Sequence, residues 1–173
     1  IVDSGVYVTP TLSHRTDHAI NIRRKIGTPE FTLKKMKKIQ PYTFETFQRM
    51  KDKGVNIAMG TDLGFDPEMG TNANELEIYV KLGMDNDEAL QTTTINAARA
   101  LKIDKFVGSV EEGKVADLVM VNGKPDKDVK VLQKKENIQL VVKEGKIEVD
   151  RRDGFNKSPL SVKPGEWKIA DYL

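Results

Sequence analysis

Cysteine is absent from this chain of 173 residues, and histidine occurs only twice, as His14 and His18. A chain without cysteine has no disulfide scaffold, no thiol nucleophile and no cysteine-ligated zinc. Self-contained zinc sites generally need two or three histidines and a carboxylate. A metal bound here would therefore take only part of its ligand set from this sequence.

Long apolar runs are missing too, and so is a basic-then-apolar leader. No window holds the ~18 uninterrupted apolar residues that a membrane span needs, so we expect no membrane partner. No signal peptide is visible at the start of the sequence. The composition, with 38% hydrophobic and 31% charged residues, is typical of a globular domain. Together with the lack of cysteine, it predicts a cytoplasmic location.

The net charge of +2 conceals an uneven distribution. Residues 1–54 hold eleven basic and five acidic side chains, whereas residues 55–101 hold two and eight. An acidic middle segment attracts cations. The basic runs at 23–25 and 34–38 lack interleaved aromatic residues. We therefore interpret them as a solvated face and expect no nucleic-acid partner.

The order of the predicted elements indicates an α/β architecture. Residues 5–13 predict a short strand that ends at Pro10, and the basic stretch up to Pro41 is expected to be partly helical. Thr43 is then expected to cap a helix that ends at Gly54, and residues 55–60 predict a short apolar strand. Helix, glycine, strand and polar loop in succession are typical of a parallel sheet.

After about residue 105 the pattern changes to that of an antiparallel sheet. Before that point two more helices are expected, at 75–82 and at 88–101, the second capped by Asp85 or Asn86. Beyond it, the pattern predicts a strand at 115–121, a hairpin at 140–149 that turns at Glu144 and Gly145, and an extended tail at 151–173.

Asp62 is the residue that most clearly points to chemistry, because it follows a short apolar strand. In parallel α/β folds the carboxyl ends of the strands line the ligand site. A carboxylate there can hold a divalent metal or move a proton, but it can also be an ordinary turn residue. His14 and His18 follow the other strand, either at the same edge or as exposed loop residues. The residues by themselves leave both alternatives open.

Six motifs occur in a fixed order along the chain. They are residues 6–13 (VYVTPTLS), 57–62 (IAMGTD), 72–77 (NANELE), 88–101 (EALQTTTINAARAL), 108–119 (GSVEEGKVADLV) and 142–146 (VKEGK). This series resembles the amidohydrolase superfamily, and within it the imidazolonepropionase-related and prolidase-like branches. Residues 6–13 resemble the seventh barrel strand of that family and residues 57–62 the eighth. The resemblance covers residues 1–150.

The resemblance implies a TIM barrel, (β/α)₈, joined to a small β-sandwich that is built from both chain ends. This chain would hold only the C-terminal part of that fold. Residues 1–104 would supply barrel strands seven and eight with their helices, and residues 105–150 part of the antiparallel sandwich. Residues 151–173 would form the tail.

The resemblance also implies a reaction, the hydrolysis of an amide, peptide or cyclic-amide C–N bond by metal-activated water. One or two divalent metals, usually zinc, lie at the barrel mouth in this family. Asp62 matches the aspartate that binds the metal, takes a proton from the water and delivers it to the leaving amine. Residues His14, His18, Thr11 and Asn72 are expected to contact a small-molecule or dipeptide substrate.

The departures from the family pattern matter as well. The metal-ligating histidines and the first six strands are missing, and Met69-Gly70 stands where related sequences often carry His-Gly. We therefore expect the C-terminal part of a longer hydrolase, inactive alone, whose partner is the missing N-terminal part of the barrel. Association into a homo-oligomer is left open. The alternatives are a non-catalytic interaction module and nucleic-acid binding through residues 23–38.

Overall fold

The computed structural model describes residues 1–63 and 70–152. Within these ranges the chain forms five α-helices and two small β-sheets. None of those helices combines the length and the apolar character that crossing a membrane requires. Met69, which differs from the family pattern, and the predicted tail beyond Arg152 lie outside the described residues.

The first sheet is the parallel pair that the sequence predicts. Strand β1 (Tyr7–Val8) lies beside β2 (Asn56–Ile57), with Val8 opposite Ile57. The pairing extends one residue further, because the amide of Ala58 donates to the carbonyl of Val8 at 3.0 Å. Parallel neighbours need a long crossover, and here two helices supply it.

Both strands are shorter than predicted, and β1 shows why. The predicted strand ends at Pro10, which has no amide hydrogen to give to a sheet, whereas the observed strand ends two residues earlier, at Val8. Thr11 then adopts a left-handed backbone with φ +49°, and a short 3₁₀ helix follows at Leu12–Arg15.

The crossover contains helix α1 (Asp17–Lys25) and helix α2 (Glu30–Asp52). The prediction that Thr43 caps a separate helix after Pro41 is wrong, because α2 runs through both residues without interruption. Inside the helix, the hydroxyl of Thr43 donates back to the carbonyl of Ile39 at 3.2 Å.

Packing explains why α2 continues through its proline. A proline within a helix loses one backbone hydrogen bond and costs about 3 kcal/mol. This loss is offset by burial, because α2 buries side chains at helical spacing on both sides of Pro41: Leu33, Met36, Gln40 and Phe47. Burial of one such apolar side chain is worth about 1.5–3 kcal/mol, so the continuous face outweighs the lost bond.

Three helices follow β2: α3 (Asn74–Lys81), α4 (Asn86–Thr93) and α5 (Ile95–Ala100). The predicted cap at Asp85 is confirmed, and it forms a reciprocal capping box with Glu88. The single helix predicted over 88–101 is wrong, because Thr94 leaves helical geometry (φ −119°, ψ −99°) and divides it into α4 and α5.

The second sheet is antiparallel, as predicted. It orders β3 (Leu118–Val121), β4 (Ile138–Lys143) and β5 (Lys146–Asp150) in sequence. The hairpin between β4 and β5 turns at Glu144 and Gly145, both with positive φ (50° and 75°). That pair of angles is the signature of the type I′ turn that matches strand twist.

The main core lies where α2, α3 and α4 meet the parallel strands. Phe47 and Tyr79 stack at its centre with ring centroids 4.7 Å apart. The buried members of this core are Leu12, Phe47, Ile57, Leu76, Tyr79, Met84, Ala89 and Val129. Because the core contains Leu12, in the segment after β1, and Ile57 of β2, it holds in place the two segments that lead to His14 and Asp62.

Gly108 provides a test of the packing behind α5. Its φ is +95°, and an added Cβ would lie 2.7 Å from the Cβ of Ala98. We expect Gly108→Ala to lower the free energy of unfolding by about 1–3 kcal/mol more than Gly113→Ala does, because overpacking adds to the backbone strain. Gly113 is the matched control, since its φ is +87° and nothing lies within 4 Å of the added Cβ. Urea unfolding of both variants is the measurement, and equal losses would contradict the packing argument.

Candidate functional site

The carboxyl ends of the two parallel strands lie against each other, which brings two polar loops together. After β1 the chain runs through Thr9 to Thr11, and after β2 it runs through Gly60 to Asp62. A Cβ on Gly60 would overlap the methyl group of Thr9. The absence of that atom permits the close approach of the two loops.

Asp62 occupies this edge with an open carboxylate. Its side chain is 73% exposed, and its backbone adopts the left-handed region with φ +54°. Asp and Asn enter that region more readily than most residues, because their short polar side chains tolerate it. The turn therefore presents the carboxylate outward at the end of β2, where a parallel sheet places ligands.

His14 is the nearest functional neighbour of Asp62, and it is buried. Its Nε2 makes a short hydrogen bond with the main-chain carbonyl oxygen of Asp62. Its Nδ1 lies 3.1 Å from Nη2 of Arg23, which reaches it from α1. Because a guanidinium only donates, Nδ1 is the acceptor and Nε2 carries the proton.

Glu75 is the residue that the sequence analysis missed. Its carboxylate is fully buried in the first turn of α3 and accepts hydrogen bonds from the 3₁₀ helix after β1. Oε1 accepts from the amide of Leu12 at 2.6 Å, and Oε2 accepts from the amide of Ser13 at 2.7 Å and from its hydroxyl. These bonds satisfy amides at a helix start that would otherwise lack partners, and they place His14 one residue further on.

The other predicted substrate residues are spread over the rim of this edge. His18 is exposed on α1 and lines an open cleft of about 330 Å³ that begins next to Asp62, at Leu63. Asn72 is exposed just before α3, but Thr71 and Asn74 line that cleft in its place. Thr11 is half-buried at the left-handed turn after β1.

The cleft has a charged wall on α3. Glu77 lines it, and the hydrogen bonds from Lys81 and Gln133 hold the pKa of that carboxyl below its usual value. Nearby in the core, burial raises the pKa of the Tyr79 phenol, and the negative charge of Glu75 adds to the effect. Both groups therefore keep their ordinary charge states near neutral pH, Glu77 ionised and Tyr79 neutral.

A whole metal site is not present in the part of the chain that the structure describes. Within residues 1–63 and 70–152, no three His, Asp or Glu side chains converge on one point. Oδ2 of Asp62 lies 3.7 Å from Nε2 of His14, and that nitrogen carries a proton. Among the described residues at this edge, Asp62 offers one open oxygen ligand, and the other three ligands that zinc prefers would have to come from elsewhere.

The Glu75 contacts give a stability prediction. Glu75→Gln replaces one accepting oxygen by an amide group that donates, so at least one buried N–H loses its partner. We expect the free energy of unfolding to fall by about 1–3 kcal/mol. Glu77→Gln is the control on the same helix, with an expected loss below about 1 kcal/mol for its more exposed ion pair. Chemical denaturation compares them, and a Glu75→Gln loss no larger than the control loss would refute the structural role.

Comparison with known proteins shows which family this chain resembles. A family model described as the amidohydrolase family matches residues 1–147. A 5-methylthioadenosine/S-adenosylhomocysteine deaminase of Thermoanaerobacter pseudethanolicus is 32% identical over 142 residues, covering 69% of this chain and 31% of the deaminase. An imidazolonepropionase of Caldanaerobacter subterraneus subsp. tengcongensis is 31% identical over 124 residues, covering 68% of this chain and 29% of that enzyme.

Solved structures agree with the sequence relatives. A Xaa-Pro dipeptidase with bound methionine superposes with a TM-score of 0.74 at 36% identity, covering 84% of this chain and 35% of the dipeptidase. A prolidase complexed with N-methylphosphonate-L-proline gives a TM-score of 0.77 at 26% identity, covering 87% and 36%. The chain thus spans about a third of the length of these proteins, and the structural neighbours are amidohydrolase TIM-barrel proteins. The chain belongs to the amidohydrolase family.

Proposed function

We propose that this chain is the C-terminal part of a metal-dependent amidohydrolase that hydrolyses a C–N bond. The observation that carries the proposal is the open carboxylate of Asp62 at the end of a parallel strand pair, in a chain of this family. The proposed parts are barrel strands seven and eight with their helices in residues 1–104, part of a β-sandwich in 105–150 and a tail in 151–173.

The first support for a missing barrel is the state of the parallel sheet. Only two strands pair in it within the described residues, and a barrel needs eight. An open, unpaired strand edge invites association with other strands. The proposed occupant of that edge is the N-terminal part of the same barrel, which agrees with a chain that spans about a third of its relatives.

The second support is the exposure of the antiparallel sheet. Leu118 and Met120 of β3, which are 40% and 49% exposed, lie on the same face as Ile147 of β5, which is 55% exposed, because Leu118 pairs with Val142 and Val142 pairs with Ile147. Apolar side chains grouped on a sheet in this way mark a surface that another layer covers. We infer that the covering layer is the other half of the composite sandwich.

In the proposed reaction, Asp62 has two tasks. It supplies one oxygen ligand for a divalent metal, and zinc is the metal that we expect. A bound metal of this kind lowers the pKa of its water to about 7. With such a metal bound, a carboxylate oxygen of Asp62 would accept a proton as the water oxygen attacks the carbon of the C–N bond, and would pass it to the nitrogen of the leaving amine as that bond breaks. The exposure of the side chain leaves these oxygens accessible for both tasks.

The substrate is a small molecule, and we propose a dipeptide with a C-terminal imino acid. The similarity to the Xaa-Pro dipeptidase structure, at 36% identity, supports this class. Cyclic amides and amino-purines are the alternative classes, because the relatives include an imidazolonepropionase and a deaminase. His18, Thr11 and Asn72 are the proposed substrate contacts at the rim. His14, the fourth predicted contact, is buried, and both of its ring nitrogens have protein partners.

The second candidate is a non-catalytic module derived from an amidohydrolase. The exposed β3 face supports it as an interaction surface, and it does not require a metal. A homo-oligomer formed through that face would favour this candidate. We expect the 173 residues alone to lack hydrolase activity under either candidate, because one carboxylate does not make a zinc site.

Substitution of Asp62 in the complete protein tests the proposal. Asp62→Asn keeps a residue that tolerates the left-handed backbone but removes the ligand charge and the proton acceptor. We expect kcat/KM for Xaa-Pro dipeptides, imidazolonepropionate or 5-methylthioadenosine, whichever the parent hydrolyses, to fall about 10²–10⁴-fold. The melting temperature should stay within a few degrees of the parent.

Asp87→Asn is the matched control, because Asp87 is exposed in the first turn of α4, away from this edge. It should leave both activity and melting unchanged. Turnover by Asp62→Asn close to that of the parent would refute the proposed role of this carboxylate. A parent that turns over none of the three classes would favour the non-catalytic module.

A further inference from the structure

His14 was expected to touch substrate, but its surroundings point to another task. Its side chain is only 10% exposed, and both ring nitrogens already have protein partners. A substrate contact would need one nitrogen to give up a buried hydrogen bond, which costs about 1–3 kcal/mol. The histidine is therefore committed to the protein and not to the solvent side of the site.

The bond at Nε2 acts on the backbone of Asp62. Nε2–H donates to the main-chain carbonyl oxygen of Asp62, while the carboxylate Oδ2 of the same residue lies 3.7 Å away, beyond hydrogen-bond distance. A left-handed residue is less stable than an ordinary one and needs support from its surroundings. The His14 bond supplies that support at φ +54° and leaves the carboxylate open.

Arg23 determines which nitrogen of His14 carries the proton. Its Nη2 lies 3.1 Å from Nδ1, and a guanidinium cannot accept a proton in exchange. With Nδ1 accepting, Nε2 is the donor that faces Asp62.

Glu75 fixes the position of this histidine from the other side. It holds the amides of Leu12 and Ser13, the two residues directly before His14. The short 3₁₀ helix is thus anchored at its start by α3, while its histidine reaches Asp62 at the end of β2. These hydrogen bonds link the first turn of α3 to the 3₁₀ helix, and the 3₁₀ helix to Asp62 after β2.

We propose that His14 is a positioning residue for Asp62: it holds the left-handed turn so that the carboxylate points to the reacting groups, and Arg23 fixes its tautomer. This inference rests on the function proposed above for Asp62. Loss of His14 should therefore weaken metal binding and slow turnover, but should leave substrate affinity unchanged. Partners that orient a metal ligand are typically worth about 10–100-fold in affinity or activity.

The test uses His14→Leu and His14→Gln in the complete protein. Leucine removes both hydrogen bonds, whereas glutamine offers an amide N–H to Asp62 and an oxygen to Arg23. For His14→Leu we expect kcat to fall about 10–100-fold, KM to change less than about 3-fold, and the zinc dissociation constant to rise about 10–100-fold in chelator competition. For His14→Gln we expect both kcat and zinc affinity within about 5-fold of the parent.

Arg23→Leu gives a second approach that does not touch the histidine, with Arg24→Leu as its matched control. Arg24 is exposed on the next position of α1 and pairs with Glu30 at 3.5 Å. Arg23→Leu should lower kcat and zinc affinity in the same direction as His14→Leu, and Arg24→Leu should leave them unchanged. In long-range ¹⁵N–¹H spectra of the parent, we expect the His14 ring to show a protonated Nε2 and an unprotonated Nδ1.

Several results would overturn the inference. A folded His14→Leu variant with unchanged kcat and zinc affinity would exclude the positioning role. A raised KM at unchanged kcat would instead indicate that His14 contacts the substrate. If His14→Leu does not fold, His14→Gln decides: a normal melting temperature with a kcat as low as that of Asp62→Asn gives the imidazole itself a chemical task. An Nδ1–H tautomer also contradicts the proposal. If Asp62→Asn retains turnover, the proposed function fails first, independently of every His14 result.

Discussion

The buried carboxylate of Glu75 is the interaction on which the arrangement of this site depends. It is the fully buried acid in the core between α3 and the loop after β1, and it receives three hydrogen bonds from Leu12 and Ser13. A buried anion is costly unless donors surround it, so the loop has one position in which the charge is satisfied. That position directs His14 towards Asp62. The geometry at the strand ends is therefore a consequence of charge burial as much as of sheet pairing.

Local signals in the sequence predict the elements that local forces decide. The cap at Asp85 and the turn at Glu144 and Gly145 were predicted because capping and left-handed turns depend on a few adjacent residues. The α2 helix was mispredicted because Pro41 is a local helix-breaking signal, while the packed face that outweighs it appears only in the folded chain. The break at Thr94 was also missed; just after it, the side-chain amide of Asn96 donates to the carbonyl of Ile57 at 3.2 Å, a contact between residues 39 positions apart that no local pattern reveals.

The site divides in the same way between what sequence predicts and what only the structure reveals. Asp62 was identified from its place after an apolar strand and from the family motif. Glu75 and Arg23 were not identified. Glu75 accepts hydrogen bonds from Leu12 and Ser13, which are more than 60 positions away in the sequence, and Arg23 was interpreted as part of a solvated basic run. For His14 the sequence left two alternatives, this edge or an exposed loop, and the structure places it at this edge, buried and hydrogen-bonded to Asp62 and Arg23. A spacing pattern shows which residues are near a strand end, but it does not show which atoms are already bonded.

A metal at Asp62 is the feature that the proposed function cannot do without, and diffraction can locate it. The decisive measurement is a crystal structure of the complete protein that contains this chain, with anomalous data collected at the zinc edge. The proposed function predicts an anomalous peak about 2.0–2.2 Å from a carboxylate oxygen of Asp62, with other ligands from outside these 173 residues. A fully active preparation whose metal lies away from Asp62, or which contains no metal, would contradict it.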